Sequence, residues 1–301
     1  MTLQELKYLV ALADHGHFGR AAEACFITQS TLSTQIKKLE DFLGVTLFDR
    51  SLKRVTPTPI GQEILQAARS IVEESERIRE LARHSQDPMA RTIHLGVIPT
   101  LGPYYLPHAL TLVHKKHPDL RLLLREEMTP QILEHLANGK LDAGLLALPV
   151  NDDSLRVEPL FYEPFLAALP AGHALAKRDV LKVSDIMAEK LLLLDEGHCL
   201  RDQALDVCGS GSRGREEVRA TSLETLRQMV AMGLGLTLLP SLAVDAGPRV
   251  SKKAVEIRPF KSPPPGRTIA LAWRRRAPFP ETFEELAQTL KNALPGDVEP
   301  V

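Results

Sequence analysis

Only three cysteines occur among 301 residues. That is too few to staple a disulfide-dense secreted scaffold, and no two of them form the C-x-x-C pair of a redox or zinc motif. No segment approaches the roughly 20 apolar residues that a membrane-spanning helix needs. The opening stretch MTLQELKYLVALADHG mixes acidic with apolar residues and lacks a basic stretch followed by an apolar core, so no signal peptide is expected. These absences point to a cytoplasmic protein, in which thiols stay reduced by default. An excess of charge of one sign is missing too: 37 Lys and Arg against 38 Asp and Glu give a net charge of -1, so any nucleic-acid surface has to be local. Beyond the turn-like SPPPG there is no low-complexity run, and no internal repeat is evident. A composition of 44% hydrophobic and 25% charged residues is that of an ordered globular chain. The length suggests two or three domains at roughly 100 to 200 residues each.

What is present begins with Leu3, Leu6, Val10 and Ala13 at helical spacing, with Gly16 and Gly19 bracketing a break. The stretch FGRAAEACFITQSTLSTQIKKLEDFLG, residues 18 to 44, then divides into two short helices. Ala21, Ala22 and Cys25 give the first a narrow apolar face, and Thr28, Gln29 and Ser30 are able to cap the second. Leu32, Ile36, Leu39 and Leu43 repeat at spacings of four, three and four. This is a helix-turn-helix pattern, Phe18 to Lys37. Its second helix keeps a small polar face of Gln29, Ser30, Thr31, Ser33, Thr34, Gln35 and Lys37, side chains that enter a major groove without clash. The bland alternative is a solvated helix face. Arg50, Lys53 and Arg54 in an expected hairpin wing speak against it, because they would neutralise phosphates of double-stranded DNA. Cys25 reads as helix-packing core.

From Pro59 to about Ser85 the residues Ile64, Ala68, Ile71, Ser75, Ile78 and Ala82 alternate four and three apart. That is a heptad seam, with packing on its own domain as the alternative to a dimer helix. A dimer would match two half-sites. After SQDPMAR the grammar changes to alternating strand and helix: TIHLGVI, YYLPHALTLVHKKH, LRLLLRE, PQILEHLANG, LDAGLLAL. A parallel sheet with crossover helices is expected. After Leu160 a second set follows, with PFLAALP, KLLLLDE, EEVRATS, LETLRQMVAMG and LGLTLLP, and Thr221 with Glu224 as a capping box. RTIALAW and ETFEELAQTLKNAL return to the first lobe. The expected domains are a winged helix-turn-helix at 1–58, a linker and dimerisation helix at 59–87, and an α/β sensor at 88–301. Its lobes are expected at about 88–162 with 268–301, and at about 163–267.

This organisation, and FGRAAEACFITQSTLSTQIKKLEDFLGVTLFDR above all, resembles the LysR-type transcriptional regulators over nearly the whole chain. GHCLRDQALDVC with RATSLETLRQMVAMGLGLTLLP is similar to the peroxide-sensing activators of that family. The resemblance implies a type 2 periplasmic-binding-protein-like sensor, with Cys199 as the thiol that reacts with hydrogen peroxide and Cys208 as its disulfide partner. It further implies reduction by cellular thiol reductants, a homodimer assembling to a homotetramer that contacts RNA polymerase, and control of antioxidant genes, with no cofactor or metal. If residues 199 to 208 are helical, their Cα atoms lie about 13.5 Å apart, whereas a disulfide needs them within roughly 7 Å. Oxidation would then have to refold the segment.

Cys199 follows Gly197 and His198 at an expected helix start and has Arg201 nearby, an electropositive setting suited to a reactive thiol. In open α/β sheets ligands gather beyond the C-terminal ends of strands. Thr100 and Thr129 follow the first two strands, and their hydroxyls suit a small polar ligand. The resemblance implies that these threonines line the peroxide pocket; His198 and Arg201 are further candidates. Helix capping is the alternative for Thr129, a structural turn for His198, and pairing with Asp202 for Arg201. Three rivals remain on the sequence: a regulator responding to a metabolite in the cleft, a thiol peroxidase, and zinc held by His198, Cys199 and Cys208, which lacks a fourth ligand.

Overall fold

The computed structural model describes residues 1–49, 55–83, 89–208, 219–244 and 254–301. The chain divides into two compact units, Met1–Gln86 and Asp87–Val301. In the first, α1 (Leu3–His15) starts at a reciprocal cap: Thr2 Oγ1 accepts from the Glu5 N–H while the Glu5 carboxylate accepts from the Thr2 N–H. Next come α2 (Phe18–Ala24) and α3 (Gln29–Leu43), the latter capped by Thr28. Leu6, Leu9, Leu12, Ala21, Ala22, Leu32, Ile36 and Leu39 share one core, as their three- and four-residue spacings require. β1 (Phe48–Asp49) and β2 (Thr56–Pro57) pair antiparallel beside it, and α4 (Pro59–Arg83) closes the unit. Gly61 lies so near β1 that a Cβ there would stand 2.1 Å from the Leu47 carbonyl oxygen, an approach that only glycine permits.

The apolar seam of α4 divides. Ala68 is buried and Ile64, Leu65 and Val72 pack on the core, whereas Ile71 and Ile78 are exposed. A straight helix of 3.6 residues per turn drifts against a strict heptad, so one run of apolar residues serves the domain core first and the surface later. Lys7 pairs with Glu76 at 2.6 Å and Arg69 with Asp14, holding α4 to α1.

The second unit opens with β3 (Thr92–Val97), α5 (Gly102–Lys116), β4 (Arg121–Glu126), α6 (Thr129–Ala137) and β5 (Ala143–Ala147). A 16-residue strand, β6 (Leu155–Pro170), carries the chain into the second lobe. There follow a 3-10 turn (Ala174–Lys177), α7 (Val183–Ile186), β7 (Leu193–Leu194), α8 (Cys199–Cys208), β8 (Arg219–Ala220), α9 (Leu223–Ala231), β9 (Thr237–Pro240), α10 (Ser241–Val244) and β10 (Val255–Pro259). The chain returns along β11 (Gly266–Arg274) to α11 (Pro280–Lys291) and β12 (Glu299–Pro300). The main sheet has the order β10-β6-β11-β5-β3-β4, with β9 and β12 also on β6.

Two buried cores define a two-lobed α/β domain. One gathers β3, β5, α5, α6 and α11 with Leu160 and Phe161; the other gathers Phe165, Ala167 and Leu169 with α8, α9 and β9. β6 thus lends its first half to one lobe and its second half to the other. The parallel arrangement expected from the alternation holds for β3, β4 and β5, but β11 runs antiparallel to both β5 and β6. The cause is topological: the chain leaves along β6 and comes back along β11, so the two crossing segments run in opposite directions. β10 and the first half of β6 had no counterpart in the alternation read from the sequence. α9 is capped by Ser222, whose hydroxyl accepts from the Thr225 N–H, and not by Thr221.

Candidate functional site

α8 is set by the short parallel pair β7 and β8, and the Asp195 N–H donates to the Ala220 carbonyl at 2.9 Å. Gly197 turns the chain at φ 93°, and a Cβ there would sit 3.7 Å from the Met128 side chain, which places the start of α8 against the start of α6. Leu200, Ala204 and Cys208, spaced four apart, point into the core of the second lobe. Cys199 is partly buried and packs against the core of the first. One helix therefore holds its two thiols on different cores, about 13.5 Å apart along its axis by helical rise. Cys208 is 1% exposed, and burial pushes its thiol up to about 11, so it stays protonated at neutral pH.

The candidate residues fall into two kinds. Thr100, between β3 and α5, is 3% exposed and accepts from Arg267: Nη1 donates to its Oγ1 at 2.7 Å and Nη2 to its carbonyl at 3.0 Å. Arg201 donates to the Leu194 carbonyl at 3.4 Å, an attachment to β7. Thr129, His198 and Gln203 are different, because each has a buried polar atom without a hydrogen-bond partner: Thr129 Oγ1, His198 Nε2 and Gln203 Oε1. Unsatisfied buried polar atoms call for an explanation, and a small polar ligand would supply one. Thr129 does not cap α6, since Met128 holds the N-cap position. Burial lowers the pKa of His198 despite its hydrogen bond to the Thr221 backbone, so the ring is neutral at physiological pH. Gln203, one helical turn beyond Cys199, was not singled out from the sequence. Its place at i+4 on the same face was the available signal.

On the first unit, Gln29, Ser30, Thr31, Thr34 and Lys37 are exposed along α3, while Ser33 and Gln35 are partly buried. Ser33 and Gln35 flank the inward-facing Leu32 and Ile36, which puts them on the margin of the face. Thr28 Oγ1 lies 3.0 Å from the Ser30 hydroxyl and 2.8 Å from that of Thr31, and Thr34 Oγ1 donates to the Ser30 carbonyl at 2.9 Å. Arg50, Lys53 and Arg54 lie outside the described residues. Phe26, in the turn before α3, is 96% exposed at φ 56°, a residue the sequence did not single out.

Residues 3–62 match the family of bacterial regulatory helix-turn-helix proteins, lysR family, and residues 86–295 match the LysR substrate binding domain. The chain belongs to the LysR family. This LysR-family chain is 43% identical over 302 residues to the DNA-binding transcriptional dual regulator OxyR of Escherichia coli (strain K12), across 100% of this chain and 98% of that one. It is similar to a full-length OxyR variant from Pseudomonas aeruginosa, with a TM-score of 0.83 and 42% identity over 97% of this chain and 95% of that one. It is also similar to a hydrogen-peroxide-bound OxyR mutant from Corynebacterium glutamicum, with a TM-score of 0.66 and 33% identity over 97% of this chain and 92% of that one.

As a LysR-family member the protein is a transcriptional regulator that binds DNA through its helix-turn-helix. The zinc arrangement considered for His198, Cys199 and Cys208 does not fit this LysR-family fold, because the two thiols occupy opposite ends of a ten-residue helix. Among the described residues no cluster of three or more His, Cys, Asp or Glu is placed to hold a metal ion. No described helix is long and apolar enough to cross a membrane.

Proposed function

We propose that the protein senses hydrogen peroxide through Cys199 and converts a reversible Cys199–Cys208 disulfide into a change of transcription. The observation that carries this reading is the placement of the two thiols on different cores by a single helix. Thiolate attack on peroxide yields a sulfenic acid at Cys199, which condenses with the Cys208 thiol and releases water. Since the Cα atoms of a disulfide lie within roughly 7 Å, the bond and an intact α8 are mutually exclusive. Thr129, His198 and Gln203, with their unpartnered atoms, would hold the peroxide, and Thr100 would complete the pocket. The hydrogen-peroxide-bound relative supports that ligand. Arg201 serves mainly to fasten α8 to β7.

In this reading the protein is a cytoplasmic activator of antioxidant genes that contacts RNA polymerase, is reset by thiol reductants, and consumes peroxide stoichiometrically. Gln29, Ser30, Thr31, Ser33, Thr34, Gln35 and Lys37 meet operator DNA, with Arg50, Lys53 and Arg54 on phosphates. The exposed Ile60, Ile71 and Ile78 of α4 favour a homodimer that builds to a tetramer. Mass spectrometry before and after micromolar peroxide, paired with DNA footprinting of both samples, tests the proposal. A Cys199–Cys208 linked peptide with an altered footprint is expected. An unchanged footprint, or an inducer response that survives Cys199→Ser, would favour a cleft-bound metabolite instead.

A further inference from the structure

Glu163 on β6 and Arg267 on β11 have side chains that are 0% exposed, and they meet at 2.8 Å. Burying two charges is unfavourable unless their remaining donors and acceptors are satisfied, and an apolar pair of similar volume would serve packing as well or better. Here four of the five guanidinium N–H groups have a partner. Nε and Nη2 of Arg267 face Glu163 Oε2, Nη2 also reaches the Thr100 carbonyl, and Nη1 donates to Thr100 Oγ1 at 2.7 Å. Glu163 Oε1 accepts from the Leu242 N–H in α10 at 3.2 Å.

A guanidinium only donates, so the Thr100 hydroxyl oxygen is committed to accepting from Arg267, and its own proton is turned away from that group. None of the hydrogen bonds among the described residues uses that proton. We propose that Glu163 is a positioning residue of the peroxide pocket: through Arg267 it fixes Thr100 as a hydrogen-bond donor to the oxygen that leaves when peroxide is reduced. The proposal rests on the reading of Cys199 as the peroxide-reactive thiol.

A lone pair of the Cys199 thiolate attacks one peroxide oxygen, the S–O bond forms, and the O–O bond breaks. The second oxygen departs with the bonding pair as hydroxide and takes a proton from solvent to become water. Sulfur is oxidised by two electrons and peroxide is reduced by two. Negative charge grows on the departing oxygen, and a donor fixed there before the reaction lowers the barrier without reorganising.

The test compares two reactions of Cys199 in the full-length protein. One is sulfenic-acid formation with hydrogen peroxide, trapped by dimedone; the other is alkylation by iodoacetamide, whose iodide leaves without needing a proton. Glu163→Gln should slow the peroxide reaction by about ten- to a hundredfold and leave alkylation unchanged. Thr100→Val should show the same split, Thr100→Ser should restore the peroxide rate, and the Glu163→Gln, Thr100→Val double variant should be no slower than Thr100→Val. If Glu163→Gln does not fold, Glu163→Asp, which keeps the charge but shortens the reach to Arg267, should show the same split and decides the matter. Peroxide and alkylation rates falling together, or a Thr100→Val variant as fast as the parent, would overturn the proposal. A parent protein whose Cys199 is not oxidised by peroxide at all would instead remove the reading on which it rests.

Discussion

Replacing Asp206 by Lys should make the Cys199–Cys208 disulfide easier to reduce. Asp206 is exposed in the last turn of α8, where no basic residue stands. An acid there opposes the partial negative charge of the helix C-terminus, and Asp is a poor helix former. Reversing the charge and improving the propensity together should stabilise the helical, reduced form by about 1 kcal/mol. Closing a ten-residue loop with a disulfide contributes about 2.7 kcal/mol on the loop-entropy estimate, so 1 kcal/mol is a sizeable share of the balance between helix and bond. For a two-electron couple it corresponds to about 20 mV, with the potential moving to a more positive value because the dithiol is favoured. Ala204→Gly, which weakens the same helix by about 1 kcal/mol, should move the potential by about 20 mV the other way. Equilibration in glutathione buffers of graded poise, with the linked peptide quantified by mass spectrometry, reads both shifts. An unmoved potential in both variants, or shifts of the same sign, would refute the idea that α8 and the disulfide compete.

Three further outcomes are expected. Gly61→Ala forces a methyl group against the Leu47 carbonyl and should lower the stability of the DNA-binding unit by about 1–3 kcal/mol in urea denaturation; an unchanged midpoint would contradict the close approach. Arg50→Ala should weaken binding to all DNA sequences alike and reduce the salt slope by about one unit, while loss confined to one base position would mean direct base readout. Because the Cys208 thiol pKa is raised to about 11 when folded, the unfolded chain ionises first on the alkaline side. Stability should therefore fall as pH climbs from about 8.5 toward 11, by up to about 3 kcal/mol. Cys208→Ala should lack that component, and identical alkaline profiles for the two proteins would show that the thiol is not held neutral.

Local pattern made much of the molecule legible. The four-three-four spacing of Leu32, Ile36, Leu39 and Leu43 located α3, and Leu200, Ala204 and Val207 located α8, because a helix buries a stripe that recurs with its own period. The proposed pocket was only half legible. Thr100 and Thr129 could be reached from strand ends, but Glu163 and Arg267 are 104 positions apart in sequence and meet only because β6 and β11 pair. No local pattern marks such a contact. The seam of α4 was legible as a face but not as a destination: periodicity shows which residues share a face, and not whether that face meets its own domain or solvent. Among the strands, β7 shrank from KLLLLDE to Leu193–Leu194, since apolar runs record burial more faithfully than ladder pairing.

Amide hydrogen exchange across residues 199–208, before and after one equivalent of hydrogen peroxide, puts the central claim to the most direct test. Protected amides throughout α8 in the reduced protein, lost on the same molecules that carry the Cys199–Cys208 link, are the predicted result. A linked protein whose α8 amides keep their full protection would contradict it.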